Sequence, residues 1–247
     1  MNMIMLVGTA GSGKSTLAAA FSEWLKDHDK SIGLVNLDPG VRWLPYSPDI
    51  DVRDYIDLEK IMMKYELGPN GALIASMDMM VEYLPQIRGE IAEMNYEYLI
   101  VDTPGQMEIF AFRSTGPYIT SNITEEKMII LCLIDAIFTK QLSNFVSALL
   151  LATSVQYRFL KPQINVISKS DMLSLNEKRR IEKWIENPEI LEIEVTVEPY
   201  VMRRELGRKI IHAIKDEILS DIVFTSSTTY EGFDELYALV ERIVAET

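Results

Sequence analysis

One cysteine and two histidines are too few for a disulfide framework or a Cys/His metal site, so neither organises this chain. Cys132 stands among Leu131, Leu133 and Ile134, surroundings that point to a buried strand thiol and not a reactive one. Basic residues are also scarce. The 24 Lys and Arg against 37 Asp and Glu leave a formal charge of −13. A surface so acidic repels phosphate backbones, so no direct nucleic-acid binding is expected and a protein partner or small ligand is the better reading. Long apolar runs are missing too. The longest, Met128 to Ile134, falls well short of the roughly 18 to 20 residues that cross a bilayer. No basic stretch leads into a signal-type segment, so no membrane attachment is expected and the location is read as cytoplasmic.

What the chain does have is an apolar fraction of 48%, ample for a core. Short apolar runs at Met3 to Val7, Ile32 to Asn36, Tyr98 to Val101, Met128 to Ile134, Ile164 to Ile167 and Ile222 to Phe224 end in turn-forming or polar residues. Longer helix-like stretches separate them. This alternation predicts an α/β fold, a mostly parallel sheet flanked by helices. Thr139 to Val155 and Phe233 to Val244 space their apolar residues three and four apart, as core-facing helices do. Two stretches exceed what a crossover needs, about 51–95 and about 173–220, and both are expected as helical insertions in a single domain over 1–247, the second lid-like. Met62, Met63, Met77, Met79 and Met80 are read as core or interface, and the acidic and basic residues from Glu177 to Glu186 as a solvated helix face.

Gly8-Thr9-Ala10-Gly11-Ser12-Gly13-Lys14-Ser15 matches G-x-x-x-x-G-K-[S/T], directly after a strand and before a helical stretch. The glycines let consecutive N–H groups turn inward on phosphate oxygens, and the following helix adds its positive end. The motif predicts a P-loop NTPase. Gly11, Ser12, Gly13, Lys14, Ser15 and Thr16 would hold the phosphates, with Lys14 at the β- and γ-phosphates and the Ser15 hydroxyl on Mg²⁺.

Asp102-Thr103-Pro104-Gly105-Gln106 follows the strand Tyr98 to Val101, at a carboxyl end of the sheet, where open α/β folds bind ligands. Asp102 can hold Mg²⁺ there, Gly105 can approach the γ-phosphate, and Gln106 and Glu108 fall where an attacking water could be oriented. Ser168-Lys169-Ser170-Asp171 follows a further strand. One carboxylate, Asp171, can accept both N1–H and the 2-amino group of guanine, and the Lys169 stem can lie along the base. Adenine would leave that carboxylate unpaired. Ser168 stands where Asn is more usual in GTPases, which weakens loop bracing slightly. Thr225-Ser226-Ser227 offers a second base contact through backbone N–H groups, including that of Ser226.

G-T-A-G-S-G-K-S at 8–15, N-L-D-P at 36–39, G-P-N at 68–70, D-T-P-G-Q-M-E at 102–108 and S-K-S-D at 168–171 together resemble the GPN-loop GTPases. D-V-R-D-Y-I at 51–56 and E-G-F-D-E-L at 231–236 extend the resemblance over essentially the whole chain. It implies a homodimeric, Mg²⁺-dependent enzyme converting GTP to GDP, with Gly68-Pro69-Asn70 of one subunit reaching the γ-phosphate region of the other. It also carries over Asp38 as the water-activating or Mg²⁺-proximal carboxylate. Pro69 would hold Asn70 at a rigid turn with its amide free to donate, replacing part of the work of an arginine finger. Eukaryotic relatives act in RNA polymerase biogenesis, so an assembly or chaperone-like role with a polymerase-type client is implied. Two other readings stay open at this point: a P-loop kinase and a dimeric ATPase.

Overall fold

All six apolar runs become strands, and a seventh strand of two residues joins them. The structure, a computed structural model, describes residues 1–246; Thr247, last of the expected domain, lies outside the described residues. In chain order the elements are β1 (Asn2–Gly8), α1 (Lys14–Asp27), β2 (Ile32–Asn36), β3 (Ile50–Asp51), α2 (Leu58–Tyr65), α3 (Pro69–Glu93), β4 (Tyr98–Asp102), α4 (Met107–Phe110) and α5 (Thr115–Asn122). They continue with β5 (Lys127–Asp135), α6 (Ala136–Thr139), α7 (Leu142–Phe159), β6 (Gln163–Ser168), α8 (Leu175–Glu186), α9 (Pro188–Thr196), α10 (Val201–Ile218), β7 (Ile222–Thr225) and α11 (Phe233–Glu246).

The strands form one sheet in the order β3, β2, β4, β1, β5, β6, β7, with every pairing parallel. The chain leaves β1 first to one side and later to the other, which makes the carboxyl end of β1 a switch point where ligands bind in such sheets. Strand periodicity explains how one sheet serves two cores. Met3, Met5 and Val7 of β1 face a cluster with Met77 and Ile87 of α3 and Ala152 of α7. Ile4 and Leu6, on the other face, meet Leu17 and Phe21 of α1 and Phe233 of α11. β5 divides the same way, with Met128, Ile130 and Cys132 on one side and Ile129, Leu131 and Leu133 on the other. Cys132 is buried, and burial pushes its thiol up to about 12. A third cluster joins α7 to α8, α9 and α10 through Phe145, Trp184, Leu191 and Ile211. Burying one such side chain contributes roughly 1.5–3 kcal/mol, whereas solvent-exposed ion pairs such as Lys30–Glu97 are screened by water and add little. The two-faced sheet therefore holds the fold.

Local detail refines these expectations. The helix expected over Thr139 to Val155 is α7, begun at Leu142 and not at Thr139 because Thr139 closes the short α6 by returning its hydroxyl to Ala136 and Gln141 is extended. In α8, Ile181 and Trp184 face inward and are buried, while none of the acidic and basic residues from Glu177 to Glu186 is buried. Gly68-Pro69-Asn70 is a break between α2 and α3, but Asn70 is not at a free tip. Glu66 ends α2 at φ 53, Gly68 is the N-cap of α3, and Pro69 takes the first helical position, where a missing N–H costs nothing. Asn70 thus lies in the first turn of a 25-residue helix. Of the expected methionine group, Met77 and Met80 are fully buried while Met63 is exposed.

Gly232 enters α11 at φ +78, and a Cβ there would lie 1.8 Å from the Phe224 carbonyl oxygen. Gly232→Ala is therefore expected to cost roughly 2 kcal/mol or more in stability, lowering the melting temperature by about 4 °C or more in a thermal scan.

Candidate functional site

Gly8 closes β1 in a space with no room for a side chain: a Cβ would lie 2.6 Å from Ser12 Oγ and 2.8 Å from the Leu133 carbonyl oxygen. Gly11 and Gly13 take φ values of 77° and 90°, which glycine adopts without strain. Gly13 caps α1 without a side-chain hydrogen bond, leaving the first N–H groups of the helix to an anion. Lys14 folds over the loop and donates to the carbonyls of Gly8 at 2.9 Å and Thr9 at 3.0 Å. Burial lowers its pKa, and Asp102 and Asp38 act against that.

The other loops brace this one. Ser168 Oγ lies 2.6 Å from the Ser12 carbonyl oxygen and 3.2 Å from that of Ile134. The residue standing in place of Asn is therefore itself a brace of the phosphate loop. Lys169 takes φ 60 and donates to the Gly11 carbonyl at 2.5 Å and to Asp135 Oδ2 at 2.7 Å. Thr103 Oγ1 donates to the Leu6 carbonyl at 2.6 Å, tying β4 to β1 beneath the site.

Asp171 is exposed beyond Lys169, and the Ser226 hydroxyl donates to its Oδ1 at 2.7 Å. The expected role of Ser226 changes accordingly. Its N–H is engaged by the Glu231 carbonyl at 3.0 Å, so it orients Asp171 through its hydroxyl and has no backbone donor left for a base. Ser170 and Lys178 both donate to Glu231, which joins the E-G-F-D-E-L segment to this loop.

On the opposite flank, Asp38 accepts from the Gly40 N–H at 2.8 Å and the Gly105 N–H at 3.4 Å. A Cβ on Gly105 would lie 3.5 Å from Ala10 Cα, so this turn rests directly on the phosphate loop. Gln106 Nε2 donates to Asn70 Oδ1 at 3.2 Å, bringing the G-P-N turn to the same place within one chain. Glu108 is exposed and makes no hydrogen bond or ion pair among the described residues, so the structure does not join it to Asp38. Thr16 is likewise exposed on α1.

Asp102 is 1% exposed, and its Oδ1 has no hydrogen-bond partner. Burial raises its pKa, while the hydroxyls of Ser15 and Tyr46 and the charge of Lys14 favour ionisation and Asp38 opposes it. An unpartnered buried carboxylate oxygen beside a serine hydroxyl fits a cation held jointly with phosphate oxygens. Among the described residues no group of three or more His, Cys, Asp or Glu could hold a metal alone.

Several contributors escaped the sequence reading. Asn36 Oδ1 accepts from the Asp38 N–H at 3.0 Å, and Asn36 Nδ2 donates to Asp51 Oδ1 at 2.9 Å. Arg53 grips the same Asp51 through Nε and Nη2 and donates to the Val41 carbonyl at 3.2 Å. Tyr46 reaches Asp102, and Asp135 holds Lys169. D-V-R-D was visible as a resemblance, but nothing local revealed its partner.

A family model described as a conserved hypothetical ATP binding protein matches residues 6–246. The chain is 33% identical over 241 residues to GPN-loop GTPase PAB0955 of Pyrococcus abyssi, covering 96% of this chain and 95% of that protein. It is 35% identical over 192 residues to GPN-loop GTPase 3 of Saccharomyces cerevisiae, covering 76% of this chain and 70% of that one. The crystal structure of PAB0955, described as a GTPase in apo form, superposes with a TM-score of 0.85 at 32% identity and covers 97% of this chain and 96% of its own.

Because the Asp102 carboxyl titrates higher folded than unfolded, the folded chain keeps a proton that the unfolded chain has released above about pH 3.9. Stability therefore falls as pH rises through that window. Asp102→Asn, which cannot ionise, should melt higher than the parent at pH 7 in EDTA without nucleotide. The gap should close below the ordinary aspartate value, as thermal scans across pH would record.

Proposed function

The chain belongs to the GPN-loop GTPases, and on that premise we propose a Mg²⁺-dependent, homodimeric GTP switch that serves as an assembly or chaperone-like factor. Hydrolysis of GTP to GDP and phosphate is the activity its relatives are named for, and this chain is a GTPase with them. The observation that carries the mechanism is the meeting of Asp38, Gly105, Gln106 and Asn70 over the mouth of the phosphate loop.

Lys14, held by two loop carbonyls, exchanges them for the β- and γ-phosphates when nucleotide enters. Ser15 and Asp102 would hold Mg²⁺, which when bound neutralises charge gathering on the phosphates. The Gly105 N–H turns from Asp38 to a γ-phosphate oxygen and frees the carboxylate. Asp38 then takes a proton from the attacking water as its oxygen bonds to the γ-phosphorus. Gln106 orients that water, with Glu108 drawn in alongside. The bond from the γ-phosphorus to the bridging oxygen breaks, and GDP leaves with the electron pair. Asn70 donates its amide to the charge that develops, in place of an arginine. At the other end, Asp171 offers guanine a carboxylate oriented by Ser226, which supports GTP over the ATP of the family description.

In the dimer reading, Asn70 acts on the partner subunit's nucleotide. A second reading is favoured by the Gln106–Asn70 hydrogen bond within one chain: Asn70 acts on its own site through Gln106. The client would be a protein, RNA polymerase subunits among the candidates, and the location cytoplasmic. Among the described residues no helix is long and apolar enough to cross a membrane.

Hydrolysis by purified protein tests these statements. Asp171→Asn should abolish preference for GTP over ATP, and Asn70→Ala should slow turnover about a hundredfold with GTP binding intact. Mixing Asn70→Ala with Lys14→Ala chains should restore activity if the loop acts on the partner, since one site per mixed dimer is then complete. Without restoration, action within one chain stands. Equal use of ATP by the parent protein would overturn the guanine assignment.

A further inference from the structure

Tyr46 has no part in the steps above, yet it touches the most buried charge of the site. Its phenol donates to Asp102 Oδ2 at 2.9 Å, while Asp102 Oδ1 is buried with no partner. One oxygen engaged and one open is the arrangement of a metal-binding carboxylate held from behind.

The segment 37–49 delivers the phenol without depending on that bond. Its entry is fixed by the Asp38 N–H on Asn36 and by Arg53 on the Val41 carbonyl. Its exit is fixed at Asp49, whose N–H donates to the Leu34 carbonyl at 2.7 Å and whose carboxylate accepts from the Leu34 N–H at 2.8 Å and the Tyr96 hydroxyl at 2.9 Å. Pro45 and Pro48 stiffen the backbone on either side, and the ring packs against the α1-side core. The phenol hydroxyl is the donor of this bond and Oδ2 the acceptor, so the carboxylate is held from one side only.

We propose that Tyr46 is a positioning residue for the divalent cation: by fixing Oδ2 it aims Oδ1 of Asp102 at the cation site beside Ser15. The inference rests on the Mg²⁺-GTP reading given above. It differs in sign from the obvious competitor, in which the phenol is a plug that the cation must displace.

Tyr46→Phe keeps the ring and removes only the hydroxyl. The protein would be loaded with a fluorescent GDP analogue and its release followed across Mg²⁺ concentrations and in EDTA. The Mg²⁺ concentration that half-maximally slows release should rise roughly 10- to 100-fold, the usual loss when an outer partner of a metal ligand is removed, with release in EDTA unchanged. On an Asp102→Asn background the same substitution should add nothing. An unchanged midpoint would reduce Tyr46 to packing, and a midpoint moved to lower Mg²⁺ would make it a plug; either overturns the proposal alone. A parent protein whose GDP release ignores Mg²⁺ would overturn the metal reading together with it. Should Tyr46→Phe not fold, hydrogen exchange of the 41–49 segment in the GDP-bound parent decides. Protection that holds or rises on adding Mg²⁺ supports positioning, and protection that falls overturns it.

Discussion

A loop that binds phosphate through its N–H groups must leave those groups unpaired, so its shape has to be held through its carbonyls. The side chains that brace this loop obey that constraint. Lys14 takes the carbonyls of Gly8 and Thr9, Lys169 that of Gly11, and the Ser168 hydroxyl lies against that of Ser12. The sheet supplies the bracing elements from several directions, since β1, β5 and β6 lie side by side and all end at this edge. Take away the parallel register and the braces no longer reach. The apolar clusters on the two faces of the sheet thus determine, at a distance, where four backbone oxygens point.

The same edge concentrates charge that the fold would not otherwise tolerate. Lys14, Asp102 and Asp38 sit close enough to alter one another, and burial opposes ionisation of both Lys14 and Asp102. Lys14 is pulled toward its charged form by the two carboxylates. Asp102 is pulled toward ionisation by Lys14 and pushed from it by Asp38. The proposed nucleotide and cation would add charges of both signs to this partly unsatisfied set.

Much of this was legible in the sequence. Strand runs were readable because the parallel sheet is buried on both faces and demands continuous apolar residues, and the phosphate loop because its glycines and lysine are fixed by local geometry. The rest depends on contacts that no local pattern encodes. β3 has only two residues, too few for periodicity, and is made by pairing with β2. Tyr46 and Asp102 are separated by 56 positions, and Ser226 meets Asp171 from the far side of three helices. Asn70 was misplaced because a G-P-N triplet reads equally as a turn and as a helix start. Proline at the first helical position decides it, and only the twenty-odd residues that follow show that a helix is there to start.

Lys169 carries one more implication. Its side chain spans from the Gly11 carbonyl to Asp135, and its backbone, held in a left-handed conformation, leads directly into Asp171. The segment proposed to read the base and the loop proposed to hold the phosphates therefore share a single strut. A partner that promotes nucleotide exchange would not need to approach the phosphates at all. On the proposed reading, prising the 168–171 segment outward would loosen base and phosphate loop in one movement, at the rim remote from hydrolysis.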